Sequence, residues 1–273
     1  MKTKIGVGII TCDRPHYLKQ LLSSLEGSNV DDIIVVNDGK PLPSNNIVTF
    51  DQKPQRQGVG KAKNRAMKSL LDRGCDYIFI IEDDMIILDK DVFNKYIEAC
   101  NISGIQHFNY GPGSPFNRKQ DIAFDLHNRH KLKQDSDPNP KIIIEYSKDT
   151  KVALYEHTVA MFSFFTKEVL EKVGFIDEQF YNAWEHVDHT YRIINAGYHP
   201  PFWWFADLAN SHELLTEAPG AIDNSSIANN SEEWSKNVYG GREKYFKKHG
   251  HYPNQPPFVS KEQVLLTIRE LKK

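Results

Sequence analysis

The chain contains 273 residues, of which 40% are hydrophobic and 26% are charged, and its formal net charge is −2. A chain so close to neutral has no overall positive field that would attract nucleic acid or an anionic membrane. No stretch approaches the run of about 18 apolar residues that a membrane-spanning helix requires, so we expect no transmembrane segment.

The cysteines and the first residues bear on the cellular compartment. Cys12, Cys75 and Cys100 are an odd number of thiols without the spacing of a metal site, which is typical of reduced cysteines. Residues 1–8 lead directly into an apolar strand and lack the hydrophobic segment of a signal peptide. These features predict a cytoplasmic protein.

The first hundred residues alternate between short apolar runs and amphipathic segments. The apolar runs at 5–11, 32–39, 47–50 and 77–88 predict strands, because they are short and rich in β-branched residues. Helices are predicted from Pro15 to Gly27, from Gly58 to Gly74 and over 89–99. Such alternation predicts a mixed, mostly parallel α/β sheet flanked by helices on both faces.

Acidic residues gather where these predicted strands end. Glu82, Asp83 and Asp84 follow five apolar or aromatic residues, and Asp13 and Asp38 follow the first and second strands. Open parallel sheets bind ligands at the carboxyl ends of their strands. Three adjacent carboxylates at a buried strand end need a compensating cation, and Mg²⁺ or Mn²⁺ suits oxygen ligands. An ordinary solvated acidic turn is the alternative.

The second half of the chain is less regular. Residues 103–140 lose periodicity and include a basic stretch at 118–133, either a solvated insertion or a loop that contacts an anionic partner. Strands are predicted at 141–146, 152–155, 159–165 and 202–206, and helices from Thr166, from Glu185, over 239–249 and from Lys261. Residues 216–232 are polar and predict a mobile segment.

Six short motifs occur in the order found in the GT-A glycosyltransferases, and residues 4–213 most resemble the large inverting family 2. Each motif is short, so the order carries the resemblance. The motifs are Thr11-Cys-Asp-Arg-Pro15, Val36-Asn-Asp-Gly39, Gly58-Val-Gly-Lys-Ala-Lys-Asn-Arg65, Glu82-Asp-Asp84, Gly174-Phe-Ile-Asp-Glu-Gln-Phe180 and Trp184-Glu-His-Val-Asp-His-Thr-Tyr-Arg192.

The resemblance implies a GT-A fold (Rossmann-like) and a nucleotide-sugar donor, most often a UDP-sugar, bound with Mn²⁺ or Mg²⁺. Asp38 would accept a hydrogen bond from the nucleobase, and Asp83 would lie beside the metal or on the ribose. Asp84 would hold the metal with His212 as a further ligand, so that the cation acts as a Lewis acid on the leaving diphosphate. The remaining donor-binding candidates are Thr11, Arg14, Lys61 and Arg65.

The segment after Trp184 is where the family places its acceptor site and general base. Trp184 would stack on a sugar face. The family usually has Glu-Asp at the next two positions, whereas this chain has Glu185 and His186. Glu185 is our first candidate for the base that takes the acceptor hydroxyl's proton, and His186 and Asp188 remain open.

The predicted organisation is a glycosyltransferase domain at 1–215, with a nucleotide-sugar half at 1–100 and an acceptor-side half at 101–215, followed by a helical extension at 216–273. Two alternatives remain open: a sugar-phosphate nucleotidyltransferase, although the turn after the first strand lacks that class's Gly-rich loop, and a non-catalytic carbohydrate- or nucleotide-binding protein. The donor sugar, the nucleotide, the acceptor and the oligomeric state are not determined. A carbohydrate acceptor is expected, with modified nucleic acid as a further option.

Overall fold

The computed structural model describes residues 3–42, 49–52, 56–122, 133, 135–221, 231–253 and 259–271. The strands are β1 (Ile5–Thr11), β2 (Asp32–Asn37), β3 (Thr49–Gln52), β4 (Tyr77–Glu82), β5 (Met85–Ile87), β6 (His107–Asn109), β7 (Ile142–Glu145), β8 (Lys151–Tyr155), β9 (Phe162–Thr166), β10 (Phe205–Leu208) and β11 (Leu215–Glu217). The helices are α1 (Pro15–Leu25), α2 (Val59–Asp72), α3 (Val92–Ser103), α4 (Lys167–Val173), α5 (Glu185–Asn195), α6 (Ser211–Leu214), α7 (Ser231–His249) and α8 (Lys261–Leu271).

The central sheet has six strands in the order β3-β2-β1-β4-β9-β6. Strands β3, β2, β1 and β4 pair in parallel, whereas β9 runs antiparallel to both β4 and β6. The predicted mixed, mostly parallel α/β sheet is therefore confirmed. Strands β10, β8 and β7 form a smaller antiparallel sheet, and β11 pairs with β5 in a two-stranded ribbon.

Helices cover both faces of the central sheet because side chains alternate along its buried strands. In β4, Phe79 and Ile81 enter one core with α1 and α3, whereas Ile78 and Ile80 enter another with α2 and α4. On the α2 face, β1 carries Gly8, where an added Cβ would come within 2.7 Å of the Ala66 Cβ. The missing side chain therefore allows α2 to pack directly on β1.

Several strands and helices begin or end at residues other than those predicted. The strand predicted at 47–50 is β3 at Thr49–Gln52, and residues 47 and 48 lie outside the described residues. The helix predicted over 89–99 begins at Val92, because the Asp89 carboxylate accepts the Asp91 N–H in a preceding turn. The helix predicted over 239–249 is α7, which begins at residue 231.

The prediction of a mobile segment at 216–232 is wrong at the start of that segment. Residues 215–217 form β11, because their backbone pairs with β5. Residues 222–230 lie outside the described residues, as do residues 123–132 of the basic stretch.

The C-terminal helices pack against the rest of the chain. Val264 and Ile268 of α8 belong to the same apolar cluster as Phe79, and Tyr245 of α7 is buried beside Phe180. The division into a domain at 1–215 and an extension at 216–273 stays a prediction. Within the described ranges, no helix combines the length and the apolar content needed to cross a bilayer.

Phe79→Ala tests the core on the α1 and α3 face of the sheet. The Phe79 ring is fully buried and lies 4.8 Å from Phe93 and 5.0 Å from Phe164, centroid to centroid. Its removal should lower the free energy of unfolding by about 3–5 kcal/mol, because a cavity replaces the ring. Urea denaturation measures the loss, and Tyr239→Ala, at a 64% exposed aromatic, should change it by less than about 0.5 kcal/mol. Equal effects would contradict this description of the core.

Candidate functional site

Polar side chains converge where β1, β2 and β4 end. Thr11 is the last residue of β1, Asp38 follows β2, and Asp83 and Asp84 follow β4. Because β1 lies between β2 and β4 with parallel pairing to both, these residues share the carboxyl edge of the sheet. All four are buried. The edge is therefore an acidic site recessed from solvent.

Arg14 neutralises part of this acidic edge. Its guanidinium contacts a carboxylate oxygen of Asp83 and lies 2.8 Å from Asp84 Oδ2. The Thr11 hydroxyl donates to Asp83 Oδ2 at 2.6 Å. Burial raises the pKa of Asp83 to about 7, even though Arg14 and Thr11 oppose the shift. The predicted donor-binding residues Thr11 and Arg14 thus contact the acidic pair itself.

Asp84 keeps one buried oxygen, Oδ1, for which the described residues provide no hydrogen-bond partner. Burial and then the charge of Glu82 raise the pKa of Asp84, so its ionised form is under-compensated. An orphaned, buried carboxylate oxygen is rare in folded proteins. It fits a site that a cation or a ligand donor completes.

Glu217 adds a carboxylate that the sequence interpretation missed. The ribbon places Glu217 opposite Met85, and the N–H of Ala218 donates to the Asp84 carbonyl at 2.6 Å. Burial, followed by the charges of Asp84 and Glu82, raises the pKa of Glu217 to about 7. Because this proximity depends on the register of two distant segments, no local pattern at 216–232 could have indicated it.

The site carries an excess of negative charge when its carboxylates are ionised. Mg²⁺ is usually held by one or two carboxylates and by phosphate oxygens of the substrate, so Asp84 and Glu217 fit such an ion. Around Asp84 and Glu217, four acidic side chains face three basic ones, which leaves one negative charge: Glu82, Asp83, Asp84 and Glu217 against Arg14, Lys63 and Arg118.

His212 lies in the short helix α6, before Glu217 in the chain. It lies near Asp137, whose pKa is lowered by Lys119 and, more weakly, by His212. Its Nδ1 is buried without a partner among the described residues. Within the described ranges, no three His, Cys, Asp or Glu side chains are close enough to enclose a metal ion. The role of His212 as a metal ligand therefore stays a prediction.

Asp38 holds the loop that leads into α2. Its two oxygens accept the backbone N–H groups of Gln57 and Gly58, both at 2.8 Å. Gly58 adopts a φ of 94°, and an added Cβ there would clash with the Tyr181 ring. A carboxylate oxygen can accept a second hydrogen bond, so the predicted contact with a nucleobase stays open.

Helix α2 carries three basic residues in its first turns, and they point in different directions. Lys61 is 44% exposed and lies 4.0 Å from Glu178, whereas Arg65 pairs with Asp51 at 2.7 Å. Their donor-binding roles stay predictions. Lys63, which was not selected from the sequence, is the buried one, and its Nζ lies 3.0 Å from Glu82 and 3.3 Å from Glu185.

Glu185 begins α5 and is almost fully buried. Its Oε1 lies 3.3 Å from Lys63 Nζ and 3.2 Å from His186 Nδ1. Burial alone would raise the pKa of Glu185, but the charges of His186 and Lys63 outweigh it and lower the pKa to about 2. Glu185 is therefore ionised at neutral pH, and the His186 side chain beside it is 22% exposed.

Trp184 and Asp188 contact the C-terminal helix α7. The Trp184 indole N–H donates to the Val238 carbonyl at 2.9 Å, so its contact with an acceptor stays a prediction. Asp188 is fully buried, and its carboxylate pairs with Lys248 at 2.8 Å, His249 at 2.7 Å and Arg192 at 3.1 Å. These contacts support a structural role for Asp188 over the general-base role considered from the sequence.

No protein-family model matches the chain, and no curated protein matches it. Among solved structures, residues 1–349 of S. aureus TarS are 14% identical with a TM-score of 0.44, covering 70% of this chain and 55% of that chain. A complex of the same TarS fragment with UDP is 13% identical, with a TM-score of 0.46 and coverages of 71% and 56%.

The mannosyltransferase PcManGT from Pyrobaculum calidifontis, solved with GDP-Man and Mn²⁺, is 9% identical with a TM-score of 0.40. That similarity covers 93% of this chain and 78% of that chain. This chain spans about half the length of the TarS fragment. Identities and scores this low do not establish a family or a function for the chain.

Asp188→Ala tests the structural role of this carboxylate. The substitution leaves Arg192, Lys248 and the His249 imidazole without their shared buried carboxylate, and we expect a loss of about 2–3 kcal/mol in the free energy of unfolding. These three partners are partly exposed, which places the loss below that of a fully buried pair. Urea denaturation measures it, with the exposed Asp72→Ala as the control. An unchanged midpoint would show that Asp188 does not hold α7.

Proposed function

We propose that this protein is an inverting glycosyltransferase, which moves a sugar from a nucleotide-sugar to an acceptor hydroxyl. The observation that carries the proposal is the buried Asp84 Oδ1 at the carboxyl edge of a mostly parallel sheet, for which the described part of the chain provides no donor. This edge is where such sheets bind nucleotides. Three of the motifs that resemble the GT-A family, those that end β1, β2 and β4, fall on the same edge, which supports the assignment and a UDP-sugar as the donor.

The donor would lie across the ends of β1, β2 and β4. Asp38 and Thr11 would face the nucleoside, and the diphosphate would lie next to Asp84 and Glu217. A divalent cation bound there would supply the positive charge that stabilises the departing diphosphate. Arg14 is a cation that already contacts both Asp83 and Asp84. It would follow the phosphate oxygens once the metal occupies the carboxylates.

The reacting hydroxyl needs a base on the side of α5. As the acceptor oxygen bonds to the anomeric carbon, the bond from that carbon to the diphosphate breaks, and the diphosphate leaves with the electron pair. The hydroxyl proton passes to the protein in the same step. The Glu185–His186 pair is the basic group available there, because Asp188 is engaged by Arg192, Lys248 and His249.

A thermal-shift screen with UDP-glucose, UDP-N-acetylglucosamine and GDP-mannose tests the donor site. At about 100 times its Kd, a ligand of the folded state should raise the melting temperature by about 5 °C or more. The shift should require Mn²⁺ and should disappear in Asp84→Asn. The exposed Asp91→Asn should keep it. No shift with any of the three compounds in Mn²⁺ would contradict the proposed function.

A further inference from the structure

The side chains of Lys63, Glu185 and His186 form a continuous polar chain that starts in the buried interior and ends at a partly exposed imidazole. Lys63 and Glu185 are each 3% exposed. Glu185 Oε1 lies within 3.3 Å of Lys63 Nζ and within 3.2 Å of His186 Nδ1. The imidazole is the one member that solvent or a substrate can reach, since 22% of its side chain is exposed.

The contact between Glu185 and His186 fixes which imidazole nitrogen can accept a proton. A carboxylate oxygen only accepts hydrogen bonds, so Nδ1 must carry the hydrogen that it shares with Glu185. The neutral imidazole then has its free lone pair on Nε2. A base held by a buried carboxylate in this way is the arrangement that activates hydroxyl groups in many hydrolases.

Lys63 stabilises the Glu185 carboxylate in its buried position, because a buried carboxylate without a counter-charge is strongly destabilising. Its ammonium has three N–H groups and three acceptors: Glu82 Oε1 at 3.0 Å, Glu185 Oε1 at 3.3 Å and the Ala160 carbonyl at 3.2 Å. The fully satisfied ammonium fixes the position of Glu185. It also connects Glu185 to Glu82, which precedes the acidic pair at the donor side.

We infer that His186 is the catalytic base of the proposed transfer, through Nε2, and that Glu185 and Lys63 are positioning residues for it. The inference rests on the proposed function and replaces Glu185, our first candidate, as the proton acceptor. Glu185 is too buried to meet an acceptor, and its oxygen is shared by two donors. The proton taken up by Nε2 creates an imidazolium whose charge Glu185 balances.

The first test follows release of UDP from UDP-glucose and UDP-N-acetylglucosamine, and of GDP from GDP-mannose, in Mn²⁺ with water as the acceptor. His186→Gln should lower kcat by about 100-fold or more, within the range for loss of a general base, and should leave the donor KM within about twofold. Unchanged kcat in His186→Gln would overturn the inference. Absence of release by the wild type, together with no donor binding, would instead overturn the proposed function.

The pH profile of kcat separates positioning from a merely structural role. Among the described residues, the charged and titratable groups facing His186 are Glu185 and His189 on its own helix, Lys63 on α2 and the buried His107 on β6. Glu185→Gln removes the carboxylate that stabilises the imidazolium, so the rise of kcat with pH should move to lower pH. Lys63→Met removes a competing cation, so the rise should move to higher pH. Shifts in the same direction, or none, would contradict the assignment.

Lys68→Met is the matched control for Lys63→Met, because Lys68 lies on the same helix and is 67% exposed. If Lys63→Met does not fold, the double variant Lys63→Met with Glu185→Gln should fold, since the buried carboxylate is gone and the other partner of Lys63, Glu82, is 27% exposed. Failure of the double variant would show that Lys63 does not act through Glu185.

A nitrogen-15 NMR spectrum of histidine-labelled protein gives a readout without activity. At alkaline pH the His186 signals, assigned by their loss in His186→Gln, should show protonated Nδ1 and free Nε2. Glu185→Gln should weaken that preference. A protonated Nε2 in the wild type would overturn the inference.

Discussion

The constraint that organises this molecule is the concentration of carboxylates at a buried strand end. Glu82 ends a strand whose side chains fill both cores, and Asp83 and Asp84 follow it directly, so they cannot move to solvent without disrupting the sheet. Desolvated carboxylates are tolerated only with counter-charges and hydrogen bonds. Arg14, which directly precedes α1, and Lys63, which lies in α2, supply part of that compensation. The remainder, centred on Asp84 Oδ1, is what the proposed cation would supply.

The two compensating cations divide the site into functional sides. Arg14 lies among the acids where a diphosphate would bind, whereas Lys63 lies beneath them and reaches across to Glu185. The donor side and the base side are thus joined by one buried ammonium. A change in the charge of either side would alter the electrostatic potential at the other, because interactions between charges are strong where water is excluded. This link places the proposed chemistry on rigid elements of the fold.

The sheet and its acidic edge could be predicted from the sequence because they depend on local patterns. Buried strands such as β4 are continuous apolar runs, and polar residues that follow them must lie at the strand ends. Lys63 could have been found as well, since it stands at helical spacing with the buried Met67 and Leu70. Glu217 could not, because its place beside Asp84 depends on how β11 pairs with the distant β5. The contacts of Asp188 with α7 could not be predicted either, because they also join residues that are distant in the sequence.

The central claim is that Asp84 and Glu217 together bind a divalent cation, and a calorimetric titration with Mn²⁺ in the presence of UDP tests it most directly. The wild type should bind one Mn²⁺ ion, and Glu217→Gln should bind it at least about 10-fold more weakly. Glu213→Gln, at an exposed position on the same segment, should leave the affinity unchanged. Equal affinity of the wild type and Glu217→Gln, or no Mn²⁺ binding by the wild type, would contradict the account.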